Sequence, residues 1–174
     1  MKKLICIVLA LLLATGMAAL AEGTEDGGAA DYSLTFATTD LDGNIVTSAE
    51  IYAGNRITMI NFWATWCPPC VGELAELVGV HAQLQEAGCG VVGILMDSYD
   101  PEAVETAKAL MTQNGTNYLV LALSEDLYPL AQVISAIPTT IFVDGSGTLV
   151  GTPIVGALVD QYVPTVKALL EPAA

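Results

Sequence analysis

Two cysteines two residues apart are the side chains in this sequence best suited to chemistry. Cys67 and Cys70 lie in the segment NFWATWCPPC, residues 61–70, with Pro68 and Pro69 between them. Such a pair can form a structural disulfide, supply two ligands to a metal ion, or carry electrons by alternating between dithiol and disulfide. The rest of the sequence must separate these three possibilities.

The cysteine count argues against a structural disulfide framework. The chain has four cysteines, and Cys6 lies in an N-terminal apolar segment with the features of an export signal. Without it Cys67, Cys70 and Cys89 remain, an odd number that leaves at least one thiol unpaired or paired with another molecule. We expect Cys89 to be a small buried residue. A reactive third thiol or an intermolecular bridge is the alternative.

The sequence supplies too few ligands for a structural zinc site at the pair. Such a site takes four ligands, and one C-x-x-C motif provides two. The only histidine, His81, lies eleven residues beyond Cys70, which is about 16 Å along a helix. We expect no metal here and a packed or boundary histidine, because His81 shares a stripe with Leu74, Leu77 and Leu84.

The first 21 residues have the three parts of an export signal. Lys2 and Lys3 precede an apolar run at residues 4–13, and Ala-Leu-Ala at residues 19–21 has the pattern of a cleavage site. We predict that residues 1–21 direct export and are cleaved. A retained membrane anchor is the alternative. In both cases the working part of the protein is periplasmic, extracellular or tethered to the outer face of a membrane.

The remaining chain is strongly acidic. Its only Lys and Arg residues are Arg56, Lys108 and Lys167, against 19 acidic residues. Nucleic acids and anionic membrane surfaces require cationic contacts, so this balance argues against both as partners. Residues 22–31 are acidic and glycine-rich, which predicts a flexible linker. Residues 32–174 are long enough for one domain with a core of its own.

The elements around the cysteine pair alternate between strand and helix. Residues 56–64 are β-branched, aromatic and nearly uncharged, which predicts a buried central strand containing Phe62 and Trp63. A helix is predicted from residue 68 to about 86, and Pro164 should kink the last helix or mark its first turn. The other predictions are a hairpin at 32–47, strands at 90–96, 118–123, 139–143 and 147–150, and helices at 101–113, 125–134 and 158–170. This order implies an α/β sheet covered on both faces.

The predicted helix start gives the two cysteines different positions. Pro68 suits the first helical position, which makes Cys67 the N-cap residue at the positive end of the helix dipole, where a thiolate is favoured. Cys70, one turn further on, can attack a mixed disulfide formed at Cys67. Because Pro69 has no amide hydrogen, only the Cys70 amide is left to bond the Cys67 sulfur. We therefore expect a moderately activated thiol, suited to a reductant, with both sulfurs accessible to a polypeptide.

Three elements together resemble the thioredoxin superfamily, and more narrowly its exported TlpA/ResA-like thiol-disulfide oxidoreductases. They are NFWATWCPPC, an acidic residue three positions beyond the second cysteine, and IPTTIFVD at residues 137–144. The resemblance implies a thioredoxin fold, with a central mixed β-sheet covered by helices on both faces, and here an N-terminal β-hairpin extension. It also implies an enzyme that needs no cofactor, because the Cys67–Cys70 pair is the redox centre.

The resemblance also assigns roles to residues near the pair. Glu73 matches a glutamate that would accept the proton of Cys70; the alternative is a glutamate that complements the helix dipole. Pro138 matches a cis-proline whose backbone faces the cysteines and pairs with a bound substrate strand. Ile137 would contact the substrate or else fill the core. The substrate-binding surface implied in this way comprises Trp66, Pro68, Pro69, Ile137 and Pro138.

The implied function is reduction of protein disulfides outside the cytoplasm. Electrons would come from a membrane-borne thiol donor, and the family suggests apocytochrome c as a substrate, with the enzyme acting as a monomer. Three alternatives stay open: an oxidase or isomerase of the same fold, a non-catalytic copper-binding or other metal-binding protein, and a peroxidase of the related peroxiredoxin fold. The last is disfavoured because its Pro-x-x-x-Thr-x-x-Cys motif is absent around the pair.

Overall fold

The computed structural model describes residues 33–171, so the predicted signal segment 1–21 and linker 22–31 lie outside the described residues. The strands are β1 (Ala37–Thr39), β2 (Ile45–Thr47), β3 (Ile57–Trp63), β4 (Gly90–Leu95), β5 (Leu119–Ala122), β6 (Thr139–Asp144) and β7 (Leu149–Val155). The helices are α1 (Ser48–Ala53), α2 (Pro68–Glu86), α3 (Pro101–Asn114), α4 (Tyr128–Val133) and α5 (Val159–Leu170), with a 3₁₀ helix at Glu125–Leu127. Within residues 33–171, no helix has the length and apolar character needed to cross a bilayer.

Strand β3 lies at the centre of a five-stranded mixed sheet with the order β5-β4-β3-β6-β7. It runs parallel to β4 and antiparallel to β6. Every residue of β3 is buried, as predicted for an uncharged strand with both faces covered. Because the chain passes from this strand into α2, the segment that carries the cysteine pair starts from the most constrained part of the sheet.

Alternate residues of β3 belong to two cores on opposite faces of the sheet. Met59 and Trp63 pack with residues of α2, α3 and α5 on one face. Ile60 and Phe62 pack on the other face, together with residues of α1, α4 and the segment leading into β1. The predicted mixed sheet with helices on both faces is therefore confirmed, and so is the core position of Phe62 and Trp63.

The predicted N-terminal hairpin is present as a separate two-stranded sheet of β1 and β2. Its turn contains Gly43 with a positive φ of 88°, a conformation that favours glycine. The hairpin lies beside strand β5: Asp40 forms an antiparallel bridge to Leu121, and the Thr38 hydroxyl donates to the Ala122 carbonyl at 2.7 Å. The hairpin thus covers one edge of the main sheet.

Two helices differ from the sequence prediction. Helix α1 was not predicted, although Thr47 and Glu50 form a complete capping box at its start, because six residues are too few to show a helical period. Helix α5 begins at Val159, so the alternative that Pro164 marks the first turn is wrong: the proline lies inside the helix. There the buried side chains of Tyr162 and Val166 hold α5 against the core although Pro164 removes one helical hydrogen bond.

Candidate active site

The cysteine pair occupies the start of α2 in the predicted positions. Cys67 is the N-cap residue with extended backbone geometry, and its Sγ accepts a hydrogen bond from the Cys70 amide at 3.3 Å. Pro68 and Pro69 fill the first two helical positions and have no amide hydrogen to add. Cys67 and Cys70 are joined in a disulfide, so the structure represents the oxidised protein.

The two sulfurs are less accessible than the sequence analysis expected. Cys67 keeps 3% of its surface exposed and Cys70 keeps none, so the expectation that both sulfurs are open to a polypeptide is wrong: both residues are buried, Cys70 completely. Cys70 is shielded because it faces inward, one turn into a helix that packs on the sheet. Neighbouring groups are open: Trp66 is 69% exposed, and Pro68 and Pro69 are exposed as well. The small exposed part of the pair therefore belongs to Cys67 and lies next to these open residues in the chain.

The segment before β6 lies against Cys67. The Ile137–Pro138 peptide bond is cis, as the resemblance implied. The Ile137 carbonyl oxygen lies 3.6 Å from the Cys67 Sγ, and the Pro138 carbonyl accepts a hydrogen bond from the Gly156 amide at 2.8 Å. The Ile137 side chain is partly buried and packs on both cores. Its backbone thus faces the sulfur while its side chain serves as a core residue.

Glu73 is a buried carboxylate and not a surface residue. It is 2% exposed, and each of its oxygens has a donor: Asn61 Nδ2 lies 2.8 Å from Oε1, and the Tyr162 hydroxyl lies 2.9 Å from Oε2. Asn61 also donates to the Thr140 hydroxyl at 3.1 Å. Burial with dedicated partners argues against the alternative in which Glu73 only complements the helix dipole.

Burial raises the pKa of Glu73 above its ordinary value, because the charged form loses its hydration. The hydrogen bonds from Asn61 and Tyr162 act in the opposite direction, and the nearby charge of Glu76 adds to the rise. The net direction is upward. Such a carboxylate is a stronger base than an exposed glutamate, and it lies one helical turn from Cys70 on the same face of α2.

The raised pKa predicts a specific pH dependence of stability. The folded state binds the Glu73 proton more tightly than the unfolded chain, so stability is lost as the pH rises from the ordinary glutamate value through the raised one. Glu73→Gln carries no charge and should remove this loss. We expect urea unfolding of the oxidised protein, measured from about pH 4 to about pH 8, to show that the free energy of unfolding of the variant increases relative to that of the wild type as the pH rises. A constant difference would contradict this prediction.

The hydrogen-bond network around Glu73 comes from three parts of the chain: Asn61 and Tyr162 donate to the carboxylate, and Thr140 accepts from Asn61. Asn61 on β3 and Thr140 on β6 are directly paired residues of neighbouring strands, while Tyr162 reaches the site from α5. Sequence analysis missed Thr140 and Tyr162. The available signal for Tyr162 was its place on an apolar helix face, four residues before Val166, where a buried hydroxyl needs a partner.

A second buried carboxylate, also missed from the sequence, holds the loop in front of the pair. Asp97 follows β4 and is buried. Its Oδ2 accepts hydrogen bonds from the Thr65 amide at 3.1 Å and from the Thr65 hydroxyl. Because Thr65 lies between the end of β3 and Cys67, Asp97 fixes the backbone that leads into the N-cap position.

The remaining candidates lie away from the pair. His81 packs in the core, and its Nδ1 accepts a hydrogen bond from the Val91 amide at 3.3 Å, so the prediction of a packed histidine is confirmed. Burial lowers its pKa, because the charged ring would lose its hydration. Cys89 is a buried free cysteine, as expected. Within residues 33–171, no group of three or more His, Cys, Asp and Glu side chains is arranged to hold a metal ion.

Comparison with known proteins places this architecture in a family. The model of the AhpC/TSA family matches residues 29–151. The chain belongs to the AhpC/TSA family. The match contains the cysteine pair, Glu73 and the cis-proline segment, whereas Gly156 and Tyr162 lie beyond its end.

Relatives narrow the assignment within the family. The chain is 24% identical over 147 residues to the thiol-disulfide oxidoreductase ResA of Halalkalibacterium halodurans, covering 84% of this chain and 79% of the relative. It is 30% identical over 114 residues to a thiol:disulfide interchange protein DsbE homolog of Paracoccus denitrificans, covering 63% of this chain and 56% of the relative. These matches confirm the predicted ResA-like membership of the thioredoxin superfamily.

A solved structure supports the same conclusion. The fold is similar to a thiol:disulfide interchange protein of the thioredoxin family from Chlorobium tepidum TLS, with a TM-score of 0.67 and 30% identity over 80% of this chain and 95% of that one. The predicted enzyme class, a thioredoxin-like thiol-disulfide oxidoreductase, is confirmed at this level.

Proposed function

We propose that this protein is an extracytoplasmic reductase of protein disulfides. The observation that supports this most directly is the asymmetry of the pair: Cys67 caps the helix at the edge of the site, and Cys70 is buried one turn inside. A partner sulfur can then meet only Cys67, while Cys70 is kept for the second, intramolecular step. No resident cofactor is needed, because the two sulfurs carry the electrons.

The reaction proceeds in two exchanges. Cys67 attacks a substrate disulfide as a thiolate; the substrate S–S bond breaks, a mixed disulfide forms, and the second substrate sulfur leaves as a thiolate. Cys70 then gives its proton to Glu73 and attacks the sulfur of Cys67. The mixed disulfide breaks, the Cys67–Cys70 disulfide forms, and the released sulfurs take up protons. The substrate gains two electrons and two protons, which the cysteine pair loses.

The surroundings of Cys67 provide a surface for an extended polypeptide. Trp66, the residue before Cys67, has an exposed side chain, and Pro68 and Pro69 are exposed as well. The Ile137 carbonyl oxygen lies 3.6 Å from the Cys67 Sγ. An aromatic side chain with a rigid proline rim suits an apolar stretch of an unfolded substrate. The resemblance to TlpA/ResA-like proteins suggests apocytochrome c as one substrate, with the protein acting as a monomer.

Weak stabilisation of the Cys67 thiolate supports the reducing direction. The Cys70 amide donates to the sulfur, and the two prolines remove the other N-terminal amides of the helix that could do so. A thiolate with little stabilisation makes the dithiol form less stable and hence a better electron donor. Export separates the protein from cytoplasmic thiols, so a membrane-borne thiol donor must restore the dithiol.

Equilibration with glutathione tests the direction. We expect the pair to stay oxidised in glutathione buffers with a reduction potential of about −200 mV and to be reduced only by stronger reductants. A potential near about −120 mV, as in strong oxidases, would contradict the proposal. Tight copper binding without turnover of a disulfide substrate such as insulin would favour the metal-carrier alternative. Turnover of hydrogen peroxide in place of disulfides would favour the peroxidase.

The Cys70→Ser variant should trap the first intermediate. Without the Cys70 thiol the mixed disulfide at Cys67 cannot be resolved, so a disulfide-containing peptide should remain attached, which intact-mass spectrometry can detect. The experiment is best done in a Cys89→Ala background, which removes the other described thiol. The matched control is the same protein with Cys67→Ser added, which should carry no adduct. An adduct in that control, or none in Cys70→Ser, would argue against the assigned order of attack.

A further inference from the structure

A single hydroxyl connects the buried carboxylate to the segment that follows the cis-proline strand. Tyr162 is completely buried. Its hydroxyl donates to Glu73 Oε2 at 2.9 Å and lies 3.4 Å from the Gly156 carbonyl oxygen. The Gly156 amide in turn donates to the Pro138 carbonyl at 2.8 Å. The Thr140 hydroxyl is a further hydrogen-bond partner of the Tyr162 oxygen. The Tyr162 hydroxyl therefore has two acceptors beside it, one of which can change its charge.

A phenol has one hydrogen to donate and can also accept a hydrogen bond. When Glu73 is ionised, its carboxylate can only accept, so the Tyr162 hydrogen points to it. When Glu73 is protonated, it can itself donate to the Tyr162 oxygen, and the phenolic hydrogen is free for the Gly156 carbonyl. Both protonation states then have satisfied hydrogen bonds with the same heavy-atom positions. Burial raises the pKa of Tyr162, so the hydroxyl stays a donor at working pH.

We propose that Tyr162 is a positioning residue for Glu73, which holds the carboxylate in both protonation states and turns its hydrogen bond to Gly156 when Glu73 takes up a proton. The inference rests on the proposed function at one point: the proton that Glu73 takes up is the one released by Cys70 during disulfide reduction. The hydrogen bonds of the Tyr162 hydroxyl go to Glu73 and Gly156, so its effect on the reaction is expected to pass through Glu73.

The neighbours of Glu73 decide the direction of the expected effect. Glu76 on α2 and Tyr118 just before β5 interact with its charge, and Asn61 on β3 and Tyr162 on α5 donate hydrogen bonds to it. Cys70 lies one helical turn before it on α2. Asn61 and Tyr162 are the donors that favour the ionised form. Removing the Tyr162 hydroxyl leaves the carboxylate with one donor, so its affinity for a proton increases.

The test is Tyr162→Phe, which keeps the ring in the core and removes only the hydroxyl. Carbon-13 NMR of the Glu73 carboxyl in the oxidised protein, where the pair has no thiol to titrate, should show a midpoint about one pH unit higher. The pH profile of disulfide reduction should move by a similar amount, with little change of rate at alkaline pH. The control is Tyr52→Phe, since the Tyr52 hydroxyl is buried without a partner among the described residues; it should move neither midpoint.

A second measurement needs no variant of Tyr162. In the wild type, the carbon bearing the Tyr162 hydroxyl should change its chemical shift at the Glu73 midpoint, and Glu73→Gln should abolish that transition. The inference is overturned if the Glu73 midpoint is unchanged in Tyr162→Phe, or if the Tyr162 chemical shift does not change at the Glu73 midpoint. If the Glu73 midpoint moves while the pH profile of the rate does not, the positioning of Glu73 stands and its role as the base in the proposed reaction fails.

Discussion

Replacing Cys67 with serine is expected to abolish disulfide exchange altogether. A serine hydroxyl does not ionise at neutral pH, so the nucleophile is lost. Cys70 cannot replace it, because that residue is completely buried behind the first turn of α2. The rate of insulin or peptide disulfide reduction, with dithiothreitol as electron source, should fall to that of dithiothreitol alone.

The controls for this experiment use the other cysteines. Cys89→Ala should retain the full rate, because Cys89 is buried and outside the pair. Cys70→Ser should also lose turnover, yet it should still form an adduct, which Cys67→Ser should not. Substantial turnover by Cys67→Ser would mean that Cys70 can reach substrates directly. The assignment of Cys67 as the attacking residue and Cys70 as the resolving residue would then be wrong.

Glu73→Gln should slow disulfide reduction by about a hundredfold, the usual contribution of a positioned base. The amide keeps the shape of the side chain but cannot accept the Cys70 proton, so the second exchange becomes slow. Glutamine also fits the site. Its side-chain oxygen can still accept the hydrogen bond from Asn61, and its amide nitrogen can donate to the Tyr162 oxygen. The Tyr162 hydroxyl can then donate its own hydrogen to the Gly156 carbonyl. Stopped-flow measurement of mixed-disulfide resolution isolates the affected step.

Glu76→Gln is the matched control for this variant. It makes the same chemical change one turn further along α2, at an exposed position, and should leave the rate within about twofold of the wild type, as expected for a surface substitution away from the reaction. Equal effects of the two substitutions would indicate that the overall negative charge, rather than a base at Glu73, controls the reaction. An unaltered rate in Glu73→Gln would refute the role of Glu73.

The parts of this site that could be predicted from the sequence are those set by short stretches of chain. The N-cap position of Cys67 followed from Pro68 and the strand before it, and the single amide contact to its sulfur followed from Pro69. Family resemblance supplied the cis bond before Pro138 and drew attention to Glu73. In each case the deciding residues are close neighbours or belong to one recognisable motif.

The rest depended on contacts between distant segments. Tyr162 and Glu73 are 89 residues apart in sequence, and nothing local shows that the hydroxyl points to that carboxylate. Thr140 meets Asn61 only because β6 pairs with β3 in one particular register. The burial of Cys70 likewise depends on how α2 packs on the sheet. Such pairings are decided by the whole topology, which spacing and periodicity do not reveal.

The position of the N-terminal hairpin has a consequence for solubility. An enzyme that handles unfolded chains risks capturing them by strand addition at an open sheet edge, which leads to aggregation. Here the hairpin shields β5 through the bridge from Asp40 to Leu121, and the opposite edge strand, β7, contains Pro153, which has no amide to pair with an incoming strand. Both edges are thus poor templates for further strands, which protects the sheet from pairing with other extended chains.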